Sequence, residues 1–247
     1  GKVIQTIAIS RDVTERLELE QLKEHVEQIT RHDLKTPLIC ALSVPRLLRS
    51  HGNLRPDQLH LLEQLERTSR KMLDMINRSL DLYKLEAGIY AVRPAPVDLL
   101  AVVRAGVEEL SGLAQARKVR MRVLVEEIEP GPDTVFPVQA EELLLHSLFQ
   151  NLLTNALEAA PQNSEVCVRL SRSPGRARLS LHNPGCVPEP VRERFFEKYA
   201  TFGKEFGTGL GTYAARLIAE VHGGSAGFDS DEESGTTVWV DLPDKTA

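Results

Sequence analysis

Two prolines, Pro94 and Pro96, fall in the stretch Arg93-Pro94-Ala95-Pro96 of a 247-residue chain. Proline has no backbone N–H, and its ring collides with the preceding helical turn, so two at that spacing stop a helix. The sequence changes character across this point. Before it, apolar residues recur at helical spacing. After it, helical stretches alternate with strand-like ones. The spacing therefore predicts two architectures in series, α followed by α/β.

In the first part, Leu19, Leu22, Val26 and Ile29 are spaced by 3, 4 and 3, with charged residues between them. That is a heptad seam. It suits a helix packed on its own domain, but pairing with another chain is the favoured reading. The pattern continues to about Ser50. His51-Gly52-Asn53-Leu54-Arg55-Pro56 then reads as a turn, because glycine closes a helix and proline opens the next. Leu62, Leu65, Met72, Ile76, Leu80 and Tyr83 carry the apolar stripe of a second helix that ends at Ala87-Gly88. Two long helices joined by a short turn make an antiparallel hairpin. One hairpin leaves apolar surface uncovered, so two copies are expected to associate as a four-helix bundle. Val3 to Ile9 is short and β-rich, the expected last strand of something upstream. The chain is read as a fragment of a longer protein that could be membrane-anchored.

Beyond the prolines, helical patterns cover about 98–116 and 141–160. Strand patterns cover 119–125, 166–170, 177–181 and 238–242. Val166, Val168 and Leu170 alternate with polar neighbours, as do Val238, Val240 and Leu242. Alternation of this kind marks a sheet with one covered face. The expected fold is thus α plus α/β: a helical hairpin forming a dimeric four-helix bundle, then an α/β sandwich with one helical layer.

Composition narrows the function. A net charge of −5 gives no basic surface for nucleic acid. Cys40, Cys167 and Cys186 match neither a zinc spacing nor a disulfide framework, which suits a reducing, cytoplasmic setting. No apolar run approaches the roughly 18 residues of a membrane span.

Four segments carry chemistry. In Arg31-His32-Asp33-Leu34-Lys35-Thr36-Pro37, Asp33 can accept from one imidazole nitrogen of His32 and leave the other as a nucleophile. Thr36 lies four residues on, on the same helix face. Asn151 and Asn155 are likewise spaced i, i+4, and amide oxygens suit a Mg²⁺ ion that phosphates also hold. Asn183 continues the register of Leu179 and Leu181, so it should face the covered side of the sheet. There its partner is either an adenine amino group or the turn made by Pro184 and Gly185. Gly207-Thr208-Gly209-Leu210-Gly211 precedes a helical pattern, an arrangement that lets backbone N–H groups approach phosphates. Between these, Arg192 to Tyr199 mixes aromatics and cations, either as a lid over a nucleotide or as a plain amphipathic helix.

Taken in order, these motifs resemble the sensor histidine kinases of two-component signalling over roughly residues 12–243. His32 to Pro37 looks like the H box. The resemblance implies that His32 is the phosphoacceptor, Asp33 its general base and Thr36 the residue that positions water in dephosphorylation of the partner. Asn151 to Ala160 looks like the N box, with Asn155 the Mg²⁺ ligand and Asn151 its helper. Gly207, Thr208, Gly209, Leu210 and Gly211 look like the G2 box at the phosphates. Phe196 matches the F box, with Lys198 beside it in the same nucleotide-binding lid. Gly235-Thr236-Thr237 resembles the last glycine motif, with Thr237 taken as its nucleotide contact. Asp12-Val13-Thr14 resembles the end of a PAS sensor domain. The G1 box departs from its usual Asp-x-Gly-x-Gly: here it is Asn183-Pro184-Gly185-Cys186-Val187. Asn183 keeps an acceptor oxygen without the charge, and the second glycine is missing.

The resemblance divides the chain into a PAS-like remnant (1–14), a signalling coil (15–30), a dimerisation and phosphotransfer hairpin (31–88), a linker (89–96) and an ATP-binding domain (97–247). It implies ATP and Mg²⁺ as cofactors. Its expected partners are a second copy of the chain and a response-regulator receiver domain. The expected activity is autophosphorylation on His32, transfer to a regulator aspartate and dephosphorylation of that regulator. The rival reading, prompted by the altered G1 box, is a phosphatase-dominant module or nucleotide-responsive scaffold with weak kinase activity. A chaperone-like or topoisomerase-like ATPase would share the sandwich but has no need of the His32 helix.

Overall fold

The structure, a computed structural model, describes residues 35–50, 52–203 and 208–244, apart from the side chains of Asp74 and Arg78. The heptad seam, the PAS-like segment and the His32–Asp33 pair lie outside the described residues. The chain forms two compact units, 1–80 and 81–247.

In the first unit, helix α1 is described over 35–50, and helix α2 (Pro56–Glu86) begins on the proline expected to open it. Arg55 N–H donates to the Gln58 side-chain oxygen at 3.0 Å, and Asp57 places a negative charge in the first turn. Arg49 of α1 pairs with Glu66 of α2 at 3.1 Å. Leu62 and Ser69 are buried, whereas Ile39, Leu47, Leu61, Leu65 and Met72 are exposed. No described helix is long and apolar enough to cross a membrane.

The second unit includes the last turn of α2. Its main sheet has five strands: β2 (Arg120–Val125), β4 (Glu165–Ser173), β5 (Arg176–Asn183), β6 (Ser225–Asp231) and β7 (Gly235–Pro243). They lie in the order β2-β4-β5-β7-β6, and every pairing is antiparallel except β2 with β4. A two-stranded ribbon pairs β1 (Ala95–Asp98) with β3 (Pro137–Ala140). Helices α3 (Leu99–Glu109), α4 (Ser111–Arg117), α5 (Glu142–Ala159) and α7 (Gly211–Val221), with a short α6 (Glu189–Arg192), complete the unit.

Strand alternation builds the core. Ala177, Leu179 and Leu181 of β5 and Val238, Val240 and Leu242 of β7 turn inward to meet Leu145, Leu148, Phe149 and Leu153 of α5. Each such valine, leucine or phenylalanine contributes about 1.5–3 kcal/mol on burial. On the opposite face, the ring of Trp239 lies over Gly227, where a Cβ would fall 2.3 Å from the indole. The Arg178 guanidinium sits 5.5 Å from the centroid of that ring. Arg178 also grips Asp241 through two hydrogen bonds of 2.7 and 2.8 Å.

Two expectations are corrected. The helix expected over 98–116 is broken at Leu110 into α3 and α4, with Ser111 and Gly112 just past the break. Asp98 caps α3 by accepting from Leu100 N–H at 3.0 Å, and it also accepts from Phe136 N–H at 2.7 Å. The stretch expected as a linker, 89–96, is not free chain. Tyr90 donates its hydroxyl to Glu141, Arg93 N–H donates to the same carboxylate at 2.9 Å, and Ala95 and Pro96 enter β1. Proline is tolerated there because β1 lies in a two-stranded ribbon with an open edge. Burial works to raise the pKa of Glu141, but the Tyr90 hydroxyl and the Arg93 amide outweigh it and hold it below the usual carboxylate value.

Candidate functional site

Helix α5 is the common wall of the site. Asn151 and Asn155 lie on it one turn apart, and both face the start of α7. A Cβ on Gly211 would stand 3.3 Å from Asn155 Nδ2 and 3.6 Å from Asn151 Oδ1. One turn further along, about 6 Å by helical rise, Ala159 meets the turn after β5. There a Cβ on Gly185 would strike the Ala159 carbonyl oxygen at 2.2 Å. Glycine is required at 185 by this approach. The asparagine pair and the two glycine turns, far apart in sequence, therefore converge on a single helix.

At the β5 end, Asn183 faces inward as its register predicts and is only 3% exposed. Its Nδ2 donates to Gly185 O at 3.0 Å. Thr236, paired with Asn183 across β5 and β7, donates its hydroxyl to the same carbonyl at 2.7 Å. Gly235 precedes it with φ +79°, a conformation that favours glycine.

Thr237, expected at the nucleotide, instead points to the opposite face of β7. Its hydroxyl lies 3.1 Å from Nδ1 of His182, its cross-strand neighbour. Burial, and then the nearby Arg169, lower the pKa of that histidine. Thr236 holds the inward place, and the sequence carried the signal: running the Val238–Val240–Leu242 alternation two residues back lands on 236, not 237. Ser230 was also missed. It pairs with Thr236 across β6 and β7, with hydroxyl oxygens 2.8 Å apart. Nothing in its own local pattern marked it.

At the other end, Gly209 adopts φ +64°, and its carbonyl accepts from Tyr199 N–H at 2.9 Å. Thr208 turns its hydroxyl back toward Leu210 N–H at 3.3 Å, and Leu210 is buried beside Leu82 and Ala214. Gly207 lies outside the described residues. Of the two forms expected for Arg192 to Tyr199, the plain amphipathic helix is not found, since only its first residue is helical, in α6. Phe196 packs edge-on to Phe195 and Phe228, at centroid separations of 5.0 and 5.8 Å. Lys198 is tied to Glu86 at 2.6 Å. Thr36 is exposed in the first described turn of α1. No group of three or more His, Cys, Asp or Glu side chains suited to a metal occurs among the described residues. A cation here would rely on amide oxygens and on phosphates.

Known proteins give the same picture. Residues 140–246 match the histidine kinase-, DNA gyrase B- and HSP90-like ATPase family, and residues 23–88 match the His kinase A phospho-acceptor domain. The circadian input-output histidine kinase CikA of Synechococcus elongatus is 27% identical over 87% of this chain and 29% of its own length. Sensor protein IrlS of Burkholderia pseudomallei is 29% identical over 86% of this chain and 45% of its own. Among solved structures, full-length ShkA in complex with AMPPNP superposes with a TM-score of 0.74 at 25% identity, over 89% of this chain and 45% of that one. The chain thus spans less than half the length of these relatives. A phospho-acceptor helical domain followed by an ATPase-type α/β domain defines a class of signalling proteins. This chain belongs to the sensor histidine kinases.

Proposed function

We propose that the chain transfers the γ-phosphoryl group of ATP to His32 and then to an aspartate of a response-regulator receiver domain. The observation that carries this reading is the convergence of Asn151, Asn155, Gly211 and Gly185 on helix α5, in a chain that also matches a phospho-acceptor domain. In this reading Asn183 accepts from the adenine amino group. The G2 turn brings the N-terminus of α7 to the phosphates, where its free N–H groups favour negative charge. Asn155, with Asn151 beside it, would hold Mg²⁺, which when bound neutralises phosphate charge. Asp33 orients His32 and takes its proton. Catalysis is then mostly positioning. Thr36 positions water when the same site dephosphorylates the regulator. Two copies associate through the exposed apolar residues of α1 and α2, which one hairpin leaves uncovered.

The test is incubation with labelled ATP. Acid-labile, alkali-stable label that is lost in His32→Ala supports the kinase. A wild-type chain that takes up no label yet hydrolyses a phosphorylated regulator favours a phosphatase module instead.

A further inference from the structure

We propose that Ser230 is a positioning residue for nucleotide recognition: acting through Thr236 and the Gly185 carbonyl, it fixes the orientation of the Asn183 amide so that its oxygen faces a 6-amino purine. This rests on the reading that the Asn183 end of the site takes the base.

The two ends of an asparagine amide have the same shape, so only hydrogen bonds decide which way it faces. Gly185 O can only accept, so the Asn183 atom 3.0 Å from it is the NH₂ group. The same oxygen accepts the Thr236 hydroxyl at 2.7 Å, which uses the single proton of that hydroxyl. The 2.8 Å contact between Ser230 and Thr236 must therefore use the Ser230 proton. Ser230 in turn accepts the N–H of the buried Val187 at 2.8 Å. The Cys186 thiol is a distant competitor for the Ser230 proton at 3.6 Å. The result is a one-way relay from Val187 through Ser230 and Thr236 to Gly185, carried by β6 and β7 and the turn after β5. It holds that turn at residues 185 and 187, on either side of Cys186.

Asn183 Oδ1 is thereby left as an acceptor. The exocyclic amino group of adenine can donate to it, whereas the 6-oxo group of guanine would meet it oxygen to oxygen. Removing the Ser230 hydroxyl leaves Val187 N–H without its acceptor and Thr236 without the donor that sets its rotation. The turn then loses its hold at residue 187 and the contact that sets Thr236, so the Gly185 carbonyl that orients the amide is no longer fixed in place.

The experiment measures equilibrium binding of AMPPNP and GMPPNP, together with autophosphorylation rate against ATP concentration. Ser230→Ala should raise the AMPPNP Kd about tenfold, the effect of one lost buried hydrogen bond, and should narrow the preference over GMPPNP. The rate at saturating ATP should stay within about twofold of wild type, and Ser230→Thr should restore the affinity. Because Ser230 acts in large part through Thr236, the loss of affinity in the Ser230→Ala/Thr236→Val double variant should be smaller than the sum of the two single losses. Wild-type affinity and preference in Ser230→Ala, or additive losses in the double variant, overturn the proposal. A wild-type chain that binds neither analogue overturns the reading of the site itself, and the proposal with it.

Discussion

Lys198 and Glu86 form a salt bridge at 2.6 Å, joining the aromatic segment between the two glycine turns to the last residue of α2. Tyr213 of α7 donates its hydroxyl to the same carboxylate, and its ring lies 5.1 Å from the Lys198 ammonium. Burial, and then the Glu86 carboxylate, push the pKa of Tyr213 well up. The phenol therefore remains a donor throughout the working pH range.

If Lys198 serves the nucleotide, Glu86 competes for it. A partly exposed pair of this kind contributes up to about 1 kcal/mol, so Glu86→Gln is expected to lower the AMPPNP Kd by up to about fivefold. The gain should vanish in a Lys198→Met background. Calorimetric titration of the three variants checks this, and equal gains with and without Lys198 would sink the assignment.

Asn155→Ala should cripple autophosphorylation while leaving the oligomeric state unchanged. Losing a well-placed metal ligand costs several kcal/mol of transition-state stabilisation, on the order of 100-fold or more in rate. Rate measurements paired with light scattering test both halves, and wild-type rates would end the Mg²⁺ assignment.

Gly185→Ala places a methyl group 2.2 Å from the Ala159 carbonyl oxygen. The wall behind it is helix backbone and cannot easily yield. An overpacking loss of about 1–3 kcal/mol is expected in urea denaturation, with nucleotide affinity reduced as the turn shifts. Gly175→Ala serves as a control, because the space around it is open, although its φ of +74° carries backbone strain of its own.

Asp241 sets an acid limb. Its hydrogen bonds from Arg178, with Arg176 alongside, hold its pKa below the usual aspartate value. The folded-state pKa is the lower one, so the stabilisation is complete above the unfolded value of about 3.9 and fades as pH falls through the folded pKa. Asp241→Asn should cost about 1–3 kcal/mol at neutral pH, and the gap from wild type should close below about pH 4. A gap that persists unchanged into acid would contradict this.

Much of the fold was legible because burial writes itself into periodicity. The i, i+4 asparagines and the inward register of Asn183 needed only the rules of one helix and one strand. What stayed hidden depended on partners distant in sequence. β1 and β3 are four residues each and pair across some forty residues of chain. β6 reads Ser225-Ala226-Gly227-Phe228-Asp229-Ser230-Asp231, too polar, with a glycine inside it, to look like a strand. Its partner β7 supplies the reason it forms, through a register that also places Ser230 opposite Thr236. The break at Leu110 was equally invisible, since the apolar spacing runs on through it.

Trp239 is the chain's single tryptophan. It is held between Gly227 and the Arg178 guanidinium on the face of the sheet away from the helices, three residues along β7 from Thr236. Indole emission from this protein therefore has one address. A spectral change on heating or in denaturant reports the parting of β5, β7 and β6, with no contribution from the hairpin, so the unfolding of one layer can be followed without attaching a probe.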